Sequence, residues 1–189
     1  PDRAAGEAAE LEALVAEGDW GDDPAVILAL HALQRGDAAT AVARLEGADP
    51  DHLDPNVIAT RALVAAASGI GDAGALADEI GDRERATYLD RALANVGAAL
   101  AAATSDVGAA EAGRRISLAR SLVHPTQDAV AVAVVELAAA AVARRLGAEE
   151  ADEVAAHAEH LWGRLHVEPT GWQRAFALAT RSVSGSVGA

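Results

Sequence analysis

The 189-residue chain has no cysteine and no methionine, and because all fifteen of its basic residues are arginine it also has no lysine. Without cysteine it has no disulfides, thiolate metal sites or cysteine nucleophiles. Without lysine it has neither Schiff-base chemistry nor a phosphate-loop lysine. A chain that lacks methionine and starts at Pro1 is expected to be a processed protein or a segment of a longer one. Aromatic residues are almost absent: Trp20, Tyr88, Trp162, Trp172 and Phe176 are all there are. The core must therefore be assembled from Leu, Val, Ile and Ala spread over many contacts, which suits a layered array better than a compact globule.

Long apolar runs are missing as well. The longest, Ala129 to Val142, is interrupted by Glu136 and falls short of the roughly 20 residues that cross a bilayer. The acidic N-terminus lacks the basic-then-apolar order of a secretory signal, so the expected location is cytoplasmic with no membrane contact. Positive charge is scarce in one half only. Residues 1–82 hold seventeen acids against four arginines, net −13, whereas residues 83–189 hold twelve against eleven, net −1. So anionic a segment repels phosphate backbones and acidic lipids, which excludes direct nucleic-acid contact there and favours a basic protein or peptide partner.

What the chain does have is alanine, 51 residues of it. Alanine is the best helix former because ordering it costs no side-chain entropy, so the expected secondary structure is helical throughout. The helices are punctuated at a near-constant interval. Gly36-Asp37 and Gly71-Asp72 lie 35 residues apart, and Ser105-Asp106 follows 34 residues later. A breaker recurring at 30 to 40 residues is the mark of stacked helical hairpins.

The boundaries follow from cap chemistry. A first helix is expected over residues 3–17. Asp23-Pro24 starts the next, which ends at Gly36. Asp37 caps its partner, which runs to the neighbourhood of Asp49-Pro50, and Asp54-Pro55 repeats the start signal. Helices over about 55–69 and 72–80 copy the plan. Longer ones are expected over 83–103, where Leu89, Leu93, Val96 and Leu100 form a stripe, over 106–123, over 126–146 with Thr126 as cap, and over 149–166 and 170–183. That makes about ten helices in one domain spanning 1–183. Residues 184–189 form a Ser/Gly-rich tail expected to be disordered.

The segment from Ala25 to Pro50 resembles a tetratricopeptide repeat, with Leu28, Ala29 and Ala32 at its first-helix positions, Gly36-Asp37 at its turn, and Ala41, Leu45 and Ala48 on its second helix. A second unit carries Leu63, Val64, Ala67, Gly71-Asp72 and Ile80, with Leu76 where the family prefers a small residue. A third has Ala110, but Arg114 where a large apolar residue belongs. The resemblance covers residues 24–123, and 124–183 carries longer helices. With the turn from Arg144 to Gly147, the chain is also similar to the helical regions of large actinobacterial transcriptional regulators. The resemblance implies an all-α, right-handed array of antiparallel helix pairs, an α-α superhelix. It further implies a scaffold that binds a protein or peptide, as the sensor or adaptor region of a larger regulator, without catalysis or cofactor. The first helices of the hairpins would line its groove, with Arg35, Arg61 and Arg91 as polar contacts.

Chemistry-bearing clusters are few. Glu153, His157 and His160 share one helix face and form a candidate zinc set, although a further ligand would have to come from Glu149, Asp152 or His166. The commoner arrangement for such a trio is a solvated face, and no metal is assigned. A di-iron site needs Glu-x-x-His twice, and that spacing does not occur. Gly69-Ile70-Gly71 is a turn, with no preceding strand and no third glycine to make a dinucleotide fingerprint. Arg114, Arg115, Arg120, Arg144 and Arg145 are expected to face solvent or pair with acids on neighbouring helices. The alternative function is a small-molecule-binding helical domain, or a metal-dependent enzyme, using the C-terminal histidines and arginines.

Overall fold

A computed structural model describes residues 23–46, 54–104, 108–165, 176–181 and 183. The expected helix over 3–17, the Ser105-Asp106 turn, Trp20, Trp172 and the tail lie outside them. Every regular element among the described residues is helical: α1 (Asp23–Gln34), α2 (Ala38–Glu46), α3 (Pro55–Ser68), α4 (Ala73–Gly81), α5 (Tyr88–Ala102), α6 (Ala109–Val123), α7 (Ala129–Arg145) and α8 (Ala151–Gly163), followed by helical residues 176–181. A single 3-10 turn, His124–Thr126, separates α6 from α7. The chain is all-α.

The Gly-Asp punctuation does two jobs in succession. Gly36 sits at φ +76°, in the left-handed region that a side chain disfavours. Its amide bonds the carbonyl of Leu33 while the amide of Asp37 bonds that of Ala32, so the open carbonyls at the end of α1 are closed off. The Asp37 carboxylate then accepts from the amide of Thr40 at 2.9 Å, which starts α2. Asp54 and Asp72 repeat the start, accepting from Asn56 and Ala75.

Among the boundaries that differ from expectation, two have a visible cause. The helix expected from residue 83 begins at Tyr88, because Thr87 and Asp90 form a reciprocal capping box that fixes the first turn there. The cap of α7 is Asp128 rather than Thr126: Pro125 continues into the 3-10 turn, Thr126 spends its hydroxyl on the carbonyl of Val123, and Gln127 adopts φ 59°.

Packing alternates along the chain. Each helix from α1 to α7 contacts the next, and each odd-numbered helix also contacts the next odd-numbered one. The broadest of these seams joins α3 to α5. At its centre Gly97 brings α5 so close to the α3 backbone that an added Cβ would stand 2.5 Å from the carbonyl carbon of Ala62. The core consists of Leu, Ile, Val and Ala, with Phe176 the one aromatic fully enclosed among the described residues. No helix among them is long and apolar enough to cross a membrane.

Candidate functional site: an acid-rimmed groove

An open groove of about 390 Å³ lies between the short helices α2 and α4, with α3 as its floor. Val42 and Leu45 come from α2, Val64 and Ala65 from α3, and Leu76 from α4. At one end stands Ile70, in the turn between α3 and α4 and 63% exposed. A lone exposed apolar side chain is ordinary; what sets Ile70 apart is that it continues the apolar lining of the groove. Glu46, Asp72 and Glu79 supply the rim.

Of the three arginines expected as partner contacts, Arg61 alone lines this groove, and its guanidinium donates to the carbonyl of Leu45 at 2.8 Å. Arg35 is exposed in the turn after α1. Arg91 donates to the carbonyl of Arg83 at 3.1 Å. The structure therefore does not bring the three together. The cleft opens between the second helices α2 and α4, and of the first helices expected to line the groove only α3 contributes, as its floor. Ile70 was read from the sequence only as part of a glycine-flanked turn and was not among the candidate contacts; an isoleucine set between two glycines is the signal that could have pointed to it.

The arginine clusters divide: Arg114 and Arg144 are exposed, whereas Arg115 turns inward. Arg115 is 4% exposed and donates to Asp78 at 2.7 Å, Glu111 at 2.7 Å and Asn95 at 3.2 Å, which ties α4, α5 and α6 together. Glu111 also takes two bonds from Arg114. Hydrogen bonds from Arg114 and Arg115 lower its carboxyl to about 2. Arg120 clasps Glu136 through two bonds of 2.8 and 2.6 Å, and His124 Nε2 stands 3.4 Å away. Burial alone would raise the Glu136 carboxyl, but the bonds and charge of Arg120, helped by His124, hold it below its ordinary value. Arg145 donates to the carbonyls of Leu100 and Val183, and burial lowers its pKa.

Glu153, His157 and His160 are all exposed on α8, and among the described residues no group of three or more His, Asp or Glu is placed to hold a metal ion. A smaller cleft of about 250 Å³ lies between α7, α8 and helical residues 176–181, flanked by Arg144 and Arg181. Arg181 is already engaged there, donating to Glu159 at 2.8 Å and lying 5.2 Å above the ring of Trp162. Comparison of the chain with protein-family models, with curated proteins and with solved structures finds no match.

Proposed function

We propose that the chain is a non-catalytic scaffold for a protein or peptide segment. Its helices form a right-handed array of antiparallel pairs resembling tetratricopeptide repeats, and it serves as the sensor or adaptor region of a larger cytoplasmic bacterial regulator. The observation that carries this reading is the alternating packing of α1 to α8. Each hairpin buries its first helix against the first helix of the next, an arrangement that extends in one direction and exposes long surfaces. The cleft geometry supports the same class. The groove over α3 is open and largely apolar, as segment-binding grooves are, whereas a small-molecule site is a more enclosed pocket.

The alternative, a small-molecule domain, rests on the narrower cleft beside Arg144 and Arg181. Two parallel assays separate the classes. The full chain is immobilised for affinity capture with quantitative recovery of bound protein, and a metabolite library is screened for thermal stabilisation. A saturable protein partner with no stabilising metabolite is the expected result. Stabilisation by a metabolite with no partner recovered refutes the scaffold.

A further inference from the structure

We infer that the groove between α2 and α4 is the docking site for a basic segment of another protein that inserts one branched or aromatic side chain beside Ile70. The inference rests on the scaffold reading and adds to it a place and a partner chemistry.

The walls fix the anchor. Val42, Leu45, Val64 and Leu76 offer no buried polar atom for a polar ligand to match, and the volume of about 390 Å³ is at the small end for ligand clefts. That is room for one large apolar side chain and part of its backbone. Ile70 would pass from 63% exposed to covered, which is the hydrophobic gain that drives the contact.

The rim fixes the flanks. Glu46, Asp72 and Glu79 outnumber the single arginine of the lining; Arg61 is bonded to the carbonyl of Leu45, Glu79 is paired with Arg83 at 2.6 Å and Asp72 caps α4, and all three acids keep exposed carboxylates at the rim. Among the described residues up to 82, eight acids stand against three arginines. Nucleic acid and anionic lipid headgroups are repelled by such a surface, and a second copy brings a further net −14 to it. Arginine or lysine on either side of the apolar anchor is the complement.

The test uses fluorescently labelled 14-residue peptides and the full chain, read by anisotropy. One peptide carries a central Trp flanked by Arg and Lys, a second replaces the Trp by Ala, and a third keeps the Trp but has Glu flanks. The first is expected to bind saturably, and Ile70→Ser to weaken it about tenfold or more. Glu46→Gln with Glu79→Gln is expected to weaken it at low salt and to flatten its salt dependence. Because Ile70 is an exposed turn residue and both glutamates are exposed, the variants should keep the wild-type far-ultraviolet circular dichroism; the glutamate pair serves if Ile70→Ser does not.

Equal binding of the Ala or the Glu peptide, or affinity unmoved by both variants, overturns the inference. A dimer seen by light scattering that Ile70→Ser dissociates overturns it in favour of a second copy. If a partner captured by the wild-type chain is retained undiminished by Ile70→Ser, the groove falls and the scaffold stands; if no partner is captured at all, both fall.

Discussion

Between two helices, the packing is least forgiving at Gly97. A methyl group there would meet the carbonyl carbon of Ala62 at 2.5 Å, the amide nitrogen of Leu63 at 2.6 Å and the Cβ of Ala62 at 2.8 Å. Two of these are backbone atoms inside a helix, so no side chain can swing away to make room. Ordinary contact begins at 3.4 Å, so α3 and α5 would have to separate by roughly 0.9 Å. A radial gap of that size forfeits a quarter to a half of each contact's dispersion well, and the seam includes fully buried Ile58, Leu63, Leu93 and Val96. Overpacking of this kind costs about 3 kcal/mol when the obstruction is rigid. Alanine's better helix propensity returns about 1 kcal/mol. Gly97→Ala should therefore destabilise the chain by about 2 kcal/mol, lowering its Tm by about 4–8 °C.

The control sits one helix further on. Gly113 lies exposed within α6, and a Cβ there meets nothing within 4 Å, so Gly113→Ala should stabilise by about 0.5–1 kcal/mol. Urea denaturation followed by circular dichroism reads both. A Gly97→Ala chain as stable as wild type, alongside a stabilised Gly113→Ala chain, would refute the close approach of α3 and α5.

Four further perturbations separate local from long-range effects. Arg115→Ala removes a nearly enclosed cation with bonds to two other helices and should cost about 2–3 kcal/mol. Asp78→Asn cuts the same ion pair from its exposed end, where the side chain is 70% accessible, and should cost under about 1 kcal/mol by urea midpoint. The Glu111 carboxyl is depressed from 4.5 to about 2, so its contribution is fully present above the ordinary value and is lost as pH falls through the folded one. The urea midpoints of wild type and Glu111→Gln should therefore differ at pH 6 and converge near pH 2. Thr87→Ala removes one half of the capping box and should cost about 1 kcal/mol, with faster amide exchange confined to the first turn of α5.

Caps were legible in the sequence because they are decided within four residues. Asp37, Asp54 and Asp72 each stand immediately before a helix-favouring stretch, and each caps the helix expected of it. Thr126 and Asp128 compete within one turn. The winner depends on whether Pro125 continues the preceding helix as a 3-10 turn, and that is settled by the surroundings, not by the caps. Burial of charge was harder to read. Arg115 falls on the stripe formed by Ala112, Ile116, Ala119 and Val123, a position that called for a partner, but α4 and α5 had to be folded beside it before Asp78 and Asn95 could be named. Glu136 was visible as the one interruption of the longest apolar run; its partner, 16 residues back, was not.

The groove follows from element length combined with these buried charges. The second helices α2 and α4 are each 9 residues, against 12 and 14 for the first helices α1 and α3 that they accompany. So short a pair leaves a groove over the turn of α3 that carries Arg61 and Val64. One hairpin further on, α6 is 15 residues long and Arg115 bridges it to Asp78 and Gly74 of α4. The change in second-helix length coincides with the change in charge, from net −13 over residues 1–82 to net −1 beyond. Lengthening α4 with a turn of alanine and leucine would cover the same apolar floor from within the chain. If binding depends on that groove, filling it in this way should lose the anchored basic peptide together with the exposure of Ile70.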